Sequence, residues 1–180
     1  MSGLKYARMI DPEKYVFDIL NLLLIQLPPG LWWHSEDFET DKYFGHIFRG
    51  YFESELPEEK AYVMIADVTN DEDEPDISNI SKETIAAVDQ NLRINIKKTL
   101  PSLGLGFVRW MNSELNYLYE RNILVTAYII DDPEVGHRQR ICSRLNAKDR
   151  KIAIEVCFNI SDAKTLAGPI FKAMIPVGIA

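Results

Sequence analysis

The side chains from which catalysis or metal binding could be built in this 180-residue chain are few: three histidines, two cysteines and a run of acids. His34-Ser35-Glu36-Asp37 is the densest acid–base group. Two carboxylates beside an imidazole can tune its pKa, as general acid–base catalysis requires. The same four residues also match a capping group, a serine and acids at a helix N-terminus, and that reading takes precedence. No two of His34, His46 and His137 have the spacing of a helical zinc pair, and none lies near a cysteine in sequence. No metal site is therefore expected. Cys142 and Cys157 sit among apolar neighbours and read as buried thiols. A nucleophilic cysteine would need a histidine partner and a lowered pKa, and the sequence offers neither.

Charged and glycine-rich segments are equally spare. The acidic run Asp71 to Asp76 lacks the glycine and closing glutamate of an EF-hand loop, because its sixth position is Asp76 and its twelfth is Lys82. It reads as a solvated loop. Gly104 and Gly106 lack the third glycine of a dinucleotide loop, and a helix is expected before them. No Gly-x-Ser-x-Gly, P-loop or HExxH motif occurs. The stretch from His137 through Lys151 carries Arg138, Arg140, Arg144, Lys148 and Arg150, with no aromatic residue to stack on bases. It reads as a solvated or protein-facing hairpin tip. No catalytic residue and no cofactor are expected.

The elements that would position these groups are read from periodicity. Asp11-Pro12-Glu13 starts a helix, and Val16, Ile19, Leu20, Leu23 and Leu24 form its stripe until Pro28-Pro29. A second helix is predicted over 41–56, with Tyr43, Phe44, Ile47, Phe48, Tyr51 and Phe52 on one face. Ala61 to Val68 reads as a strand. Helices are predicted over 82–99, stopped by Pro101, and over 107–121, with Phe107, Trp110, Met111, Leu115 and Leu118 on one face. Residues 123–130 and 151–160 read as strands joined in one long antiparallel hairpin, and a last short helix begins at Ser161. The predicted class is α+β: N-terminal helices, then a helix-helix-β-hairpin unit with an antiparallel sheet. The whole chain, 1–180, reads as one domain, with a helical part (1–60) and an α+β part (61–180).

Composition sets limits on function. Hydrophobic residues make up 47% and charged residues 26%, which suits a globular protein able to bury a core without disulfides or metal. Two cysteines are too few for a secreted disulfide framework. No signal peptide is visible, and the apolar stretch from Tyr15 to Leu27 is too short and too polar to span a membrane. Residues 1–79 hold 17 acidic and 6 basic side chains, a net of −11; residues 80–180 hold 10 and 14, a net of +4. The acidic half argues against nucleic-acid binding. Poles of opposite sign suit stacking against complementary protein partners. Candidate partner-binding residues are Arg138, Arg140 and Arg144 on the basic tip, Asp71 and Asp73 on the acidic run, and Tyr43, Phe44, Phe48 and Tyr51 on the aromatic face.

Three segments carry a resemblance. A Leu-rich N-terminal stretch running into Leu27-Pro28-Pro29-Gly30-Leu31-Trp32 is similar to the opening of a Mu-like phage tail protein family. The order read over 82–160, with Trp110-Met111 in its second helix, resembles the C-terminal half of small Mu-like baseplate proteins and of sheath initiators. The ending Ile175-Pro176-Val177-Gly178-Ile179 looks like the closing turn of several baseplate proteins. The Glu-Pro-Arg motif that sheath initiators carry before the hairpin is absent. The resemblance implies a non-enzymatic wedge or adaptor subunit of a contractile-tail baseplate. It would be made in the host cytoplasm, carried into the virion, and packed against other tail proteins in several copies. A small immunity or inhibitor protein that binds one partner, and an enzyme without a readable motif, are the competing readings.

Overall fold

The computed structural model describes residues 7–11, 16–19, 23–26, 30–52, 61–118, 120–159 and 178–179. Its main element is a seven-stranded antiparallel sheet. The strands are β4 (Gly30–Glu39), β5 (Phe44–Phe52), β6 (Ala61–Asp67), β7 (Gly106–Leu118), β8 (Arg121–Asp132), β9 (Gly136–Ala147) and β10 (Arg150–Asn159), in the spatial order β4-β5-β6-β10-β9-β8-β7. A second, four-stranded sheet is built from β1 (Ala7–Asp11), β2 (Val16–Ile19), β3 (Leu23–Gln26) and β11 (Gly178–Ile179). One α-helix, α1 (Ile85–Thr99), continues into a 3-10 turn, Leu100–Leu103. No helix among the described residues is long and apolar enough to cross a membrane.

The fold is therefore sheet-rich, and the predicted N-terminal helices are corrected. Within 12–26 the described residues form β2 and β3. Between Tyr15 and Ile25 only Asp18 and Asn21 interrupt the apolar residues, and periodicity alone cannot separate a strand from a helix in so short a run. Within 41–56 lies β5, where Phe44, His46 and Phe48 alternate with Gly45, Ile47 and Arg49. Two interior glycines and several aromatic and β-branched residues favour a strand over a helix. The order of elements on which the baseplate resemblance rests differs accordingly, since the described parts of its Leu-rich opening, Val16–Ile19 and Leu23–Gln26, and its Trp110-Met111 segment are strands.

The predicted helix over 107–121 is β7, and its helix-like stripe has a specific cause. Its pairing with β8 shifts register between Phe107 and Arg109, and again between Trp110 and Asn112. Each bulge adds a residue and breaks the two-residue alternation. Phe107, Trp110, Ser113 and Leu115 thus face Ile130, Tyr128, Thr126 and Leu124 in turn. Three-residue steps that mimic a helix are a strand with two bulges.

The long hairpin is corrected too. Residues 123–130 and 151–160 do fall in strands, β8 and β10, but they do not pair. Between them runs β9, hydrogen-bonded to both, so the residues read as a hairpin tip are an interior strand. The turns flanking it are short. One is closed by Asp132, whose backbone oxygen accepts from Val135 and whose side chain accepts from the Glu134 amide, with Gly136 at φ +86°. The other passes through Lys148 at φ +56°. Helix α1 lies inside the range its apolar stripe marks, and Leu92 and Ile96 are its buried residues. Gly104, at φ +74°, ends the 3-10 turn. The short helix expected from Ser161 lies outside the described residues.

Register assigns the side chains to two faces. One face carries Ile123, Val125, Ile141, Leu145, Ile152, Ile154, Val156, Val63, Ile65 and Phe48, all buried. The opposite face carries Thr126, Tyr128, Arg140, Cys142, Arg144, Ala153, Glu155, Tyr62, Met64 and Ala66. Several groups on this second face are polar yet buried, and the candidate site lies there.

Candidate functional site

The cleft sits between the second sheet face, helix α1 and the segment 71–74, with a volume of ≈ 460 Å³. That is within the range of ligand-binding clefts. Its walls are apolar: Phe38 and Ile47 from β4 and β5, Met64 and Val68 from β6 and just beyond, Leu92 and Ile96 from α1. Gly45 is required by one wall. A Cβ there would stand 2.5 Å from the Ile65 carbonyl oxygen and 2.7 Å from the Phe38 ring, so the ring lies over the place where a side chain would be.

The floor is polar and internally paired. Arg140 Nη2 donates to the Tyr62 hydroxyl at 2.7 Å, and Arg140 Nη1 stands 3.6 Å from Glu155 Oε1. The Tyr62 and Tyr128 hydroxyls donate to the two oxygens of Glu155, at 3.3 and 3.4 Å. Beside this cluster, Arg144 Nε donates to Glu74 Oε2 at 2.8 Å, and Arg144 Nη1 to the Thr126 hydroxyl at 3.4 Å. Each buried guanidinium thus has a carboxylate partner, as burial of a charge requires. Desolvation disfavours the Arg140 charge, but Glu155 together with the neighbouring Tyr62, Tyr128 and Cys157 outweighs it and keeps the group protonated. Burial pushes the Cys142 thiol up to about 12 and raises the Tyr62 and Tyr128 hydroxyls well above their ordinary value.

At the rim, the Asp71 carboxylate accepts from the Tyr43 hydroxyl, from Lys42 Nζ at 3.2 Å and from the Asp73 amide at 3.1 Å. Burial works against its charge, yet these three donors outweigh burial and keep its pKa below the usual carboxylate range. Asn95 on α1 donates to the Asp73 backbone oxygen at 3.3 Å and ties the rim to the helix.

The predicted partner-binding residues separate into groups. Arg140, Arg144, Asp71, Asp73 and Tyr43 all line this one cleft, although they come from three separate stretches of chain. Arg140 and Arg144 are not on a solvated tip: both are buried in a central strand. Arg138, on the same face, stands 4.0 Å from Asp132 and lies over the Tyr62 ring at 5.6 Å. The acidic run and the basic stretch were expected to meet on neighbouring chains. They meet within one chain, through Arg144 with Glu74, Lys151 with the Glu74 backbone oxygen, and Asn146 with Asp76. Phe44 and Phe48 lie on the other face, beside the histidines, and Tyr51 stands opposite Leu31 in β5. Tyr62, Tyr128 and Glu155 were missed. A signal for Glu155 was present: a lone charge in the strand Ile152 to Phe158, otherwise free of charged residues, needs a buried partner.

His34, Asp37 and His46 also converge, away from the cleft. His34 Nε2 and His46 Nδ1 stand 2.7 and 2.5 Å from Asp37 Oδ1. The expected capping role of His34-Ser35-Glu36-Asp37 is corrected, because these residues lie in strand β4. His137 is remote in sequence and pairs with Asp131 at 3.5 Å.

No protein-family model matches the chain, and no curated protein matches it. Among solved structures, the chain is similar to cyanobacterial PsbP (CyanoP) from Synechocystis sp. PCC 6803. The TM-score is 0.56 at 16% sequence identity, over 87% of this chain and 85% of that one. At that identity, what the two chains share is the fold.

Proposed function

We propose that the protein is a non-catalytic binding module whose cleft takes an apolar side chain, presented by a segment of a partner protein. The observation that carries this reading is the pairing of apolar walls with a polar floor whose charges are already neutralised. Arg140 with Glu155, and Arg144 with Glu74, leave no net charge for a ligand to satisfy. The cleft's potential nucleophiles are held protonated: the Cys142 thiol and the Tyr62 and Tyr128 hydroxyls are all raised by burial. A site of this kind rewards a neutral, mostly apolar occupant, and full burial of one Leu-sized side chain contributes about 1.5–3 kcal/mol. The rim offers Lys42, Lys98 and Asp73 for orientation and register.

A place in a contractile-tail baseplate is the setting that the sequence resemblance implies for such a module. Its own test is co-assembly with sheath and tube proteins.

The test of the binding reading uses short peptides, each carrying one Leu, Ile, Met or Phe among polar residues. Binding is followed by fluorescence anisotropy for the wild type and for Thr99→Trp, which places a bulky ring at the mouth of the cleft. Saturable binding to the wild type, lost in Thr99→Trp with unchanged circular dichroism, is expected. Equal binding by both proteins, or no binding by either, would overturn the reading.

A further inference from the structure

On the sheet face opposite the cleft, His34, Asp37 and His46 form a second chemical site. Strand alternation would put His34 and Asp37, three residues apart, on opposite faces. The register shift between His34 and Glu36 inserts one extra residue at Ser35 and brings both onto one face. Asp37 pairs directly with His46 across the β4–β5 ladder, and His34 pairs with Phe48, one step along the same face. One bulge therefore assembles the group.

The three ligand-capable atoms all lie within 4.8 Å of one another. A tetrahedral ion with bonds of about 2.0–2.1 Å separates its ligand atoms by about 3.3 Å. Asp37 Oδ1 is now closer than that to both imidazoles, and its half-exposed side chain can swing outward to admit an ion. His46 is buried, and its Nε2 has no hydrogen-bond partner among the described residues. Asp37 Oδ1 accepts from Nδ1–H in the ion-free state, and no bond at Nε2 has to break when the proton moves there, so Nδ1 can present a lone pair once an ion takes the place of that proton. Phe44 and Phe48 flank the His46 ring along β5; Phe44 stands at 5.6 Å from it, and Phe48 at 5.4 Å from the His34 ring. An apolar shell on one side and solvent on the other leaves one coordination position open.

We propose that His34 Nε2, His46 Nδ1 and Asp37 Oδ1 bind a divalent transition-metal ion, with water in the fourth position. Two imidazoles and one carboxylate select zinc-like ions over magnesium or calcium, which take oxygen ligands. Ligand protons compete with the ion, so affinity falls as pH falls.

The test is isothermal titration of the metal-free full chain with Zn²⁺ alone, supported by the visible spectrum of the Co²⁺ form. One ion per chain is expected, with a Co²⁺ spectrum typical of low coordination number. His34→Gln and Asp37→Asn alter half-exposed side chains and should leave circular dichroism unchanged. Each should weaken Zn²⁺ binding by at least about tenfold, the loss that even an outer-shell change can bring. Absence of saturable uptake by the wild type would show a hydrogen-bonded His–Asp–His group only and overturn the proposal. Uptake unchanged in both variants would overturn it equally, by placing the ion elsewhere.

Discussion

Arg140 and Glu155 show how a single strand position can govern the cleft. Both side chains are buried on one sheet face, joined to each other and to the Tyr62 and Tyr128 hydroxyls. Removing one partner leaves a buried charge unpaired, which costs about 3–5 kcal/mol. Glu155→Gln should therefore lower unfolding free energy by roughly that amount in urea denaturation, while Arg140→Met with Glu155→Leu should recover much of the loss. A Glu155→Gln variant as stable as the wild type would show that the pair contributes little. Asp71 gives a pH prediction. Its folded pKa lies below its unfolded value, so its contribution is present above the unfolded pKa of about 3.9 and is lost as pH falls through the folded one. Tyr43→Phe removes one of the donors responsible. It should move the acid-unfolding midpoint to higher pH, and an unmoved midpoint would contradict the assignment.

Strands β4 and β7 explain why much of the fold was hidden in the sequence. β4 contains one register shift and β7 two, and in sequence β4 mimics a helix cap and β7 a helix. A bulge turns the two-residue period into a three-residue step, and nothing in residue types marks where the extra residue goes. Strand β9 was hidden differently. Its arginines suggest solvent, yet Arg140 and Arg144 are buried and neutralised by Glu155 and Glu74. What was legible is also physical: β6 is rich in apolar and β-branched residues, β10 alternates Ile152, Ile154, Val156 and Phe158 with smaller or polar residues, and α1 has an apolar stripe and a proline stop. Cleft residues were legible one by one as charged or aromatic candidates, but their meeting depended on a strand order that local patterns do not encode. The same elements predict dynamics. Amides of β9 and β10, hydrogen-bonded on both sides, should exchange with solvent more slowly than those of β4 and β7, which have one described neighbour each. Hydrogen exchange read by NMR would check this, and equal protection across the sheet would contradict the order. At Gly45, an alanine meets the Ile65 carbonyl and the Phe38 ring at distances no Cβ tolerates. Gly45→Ala should destabilise by about 1–3 kcal/mol, measured by chemical denaturation.

At the scale of the whole molecule, part of the uneven charge along the chain is paired internally. The acidic segment 67–76 closes onto Arg144, Asn146, Arg150 and Lys151, so these opposite charges hold the fold together. The proposed binding site is the cleft, with apolar walls, a neutral floor and rim charges of both signs. The most direct measurement is a methyl NMR titration of the wild-type protein with the single-anchor apolar peptides, reading Ile47, Met64, Leu92 and Ile96 against Ile141, Ile152 and Ile154 on the far face. Binding in the cleft predicts saturable shifts confined to the first group and abolished by Thr99→Trp. Shifts centred on the far-face methyls, or none in either group, would contradict it.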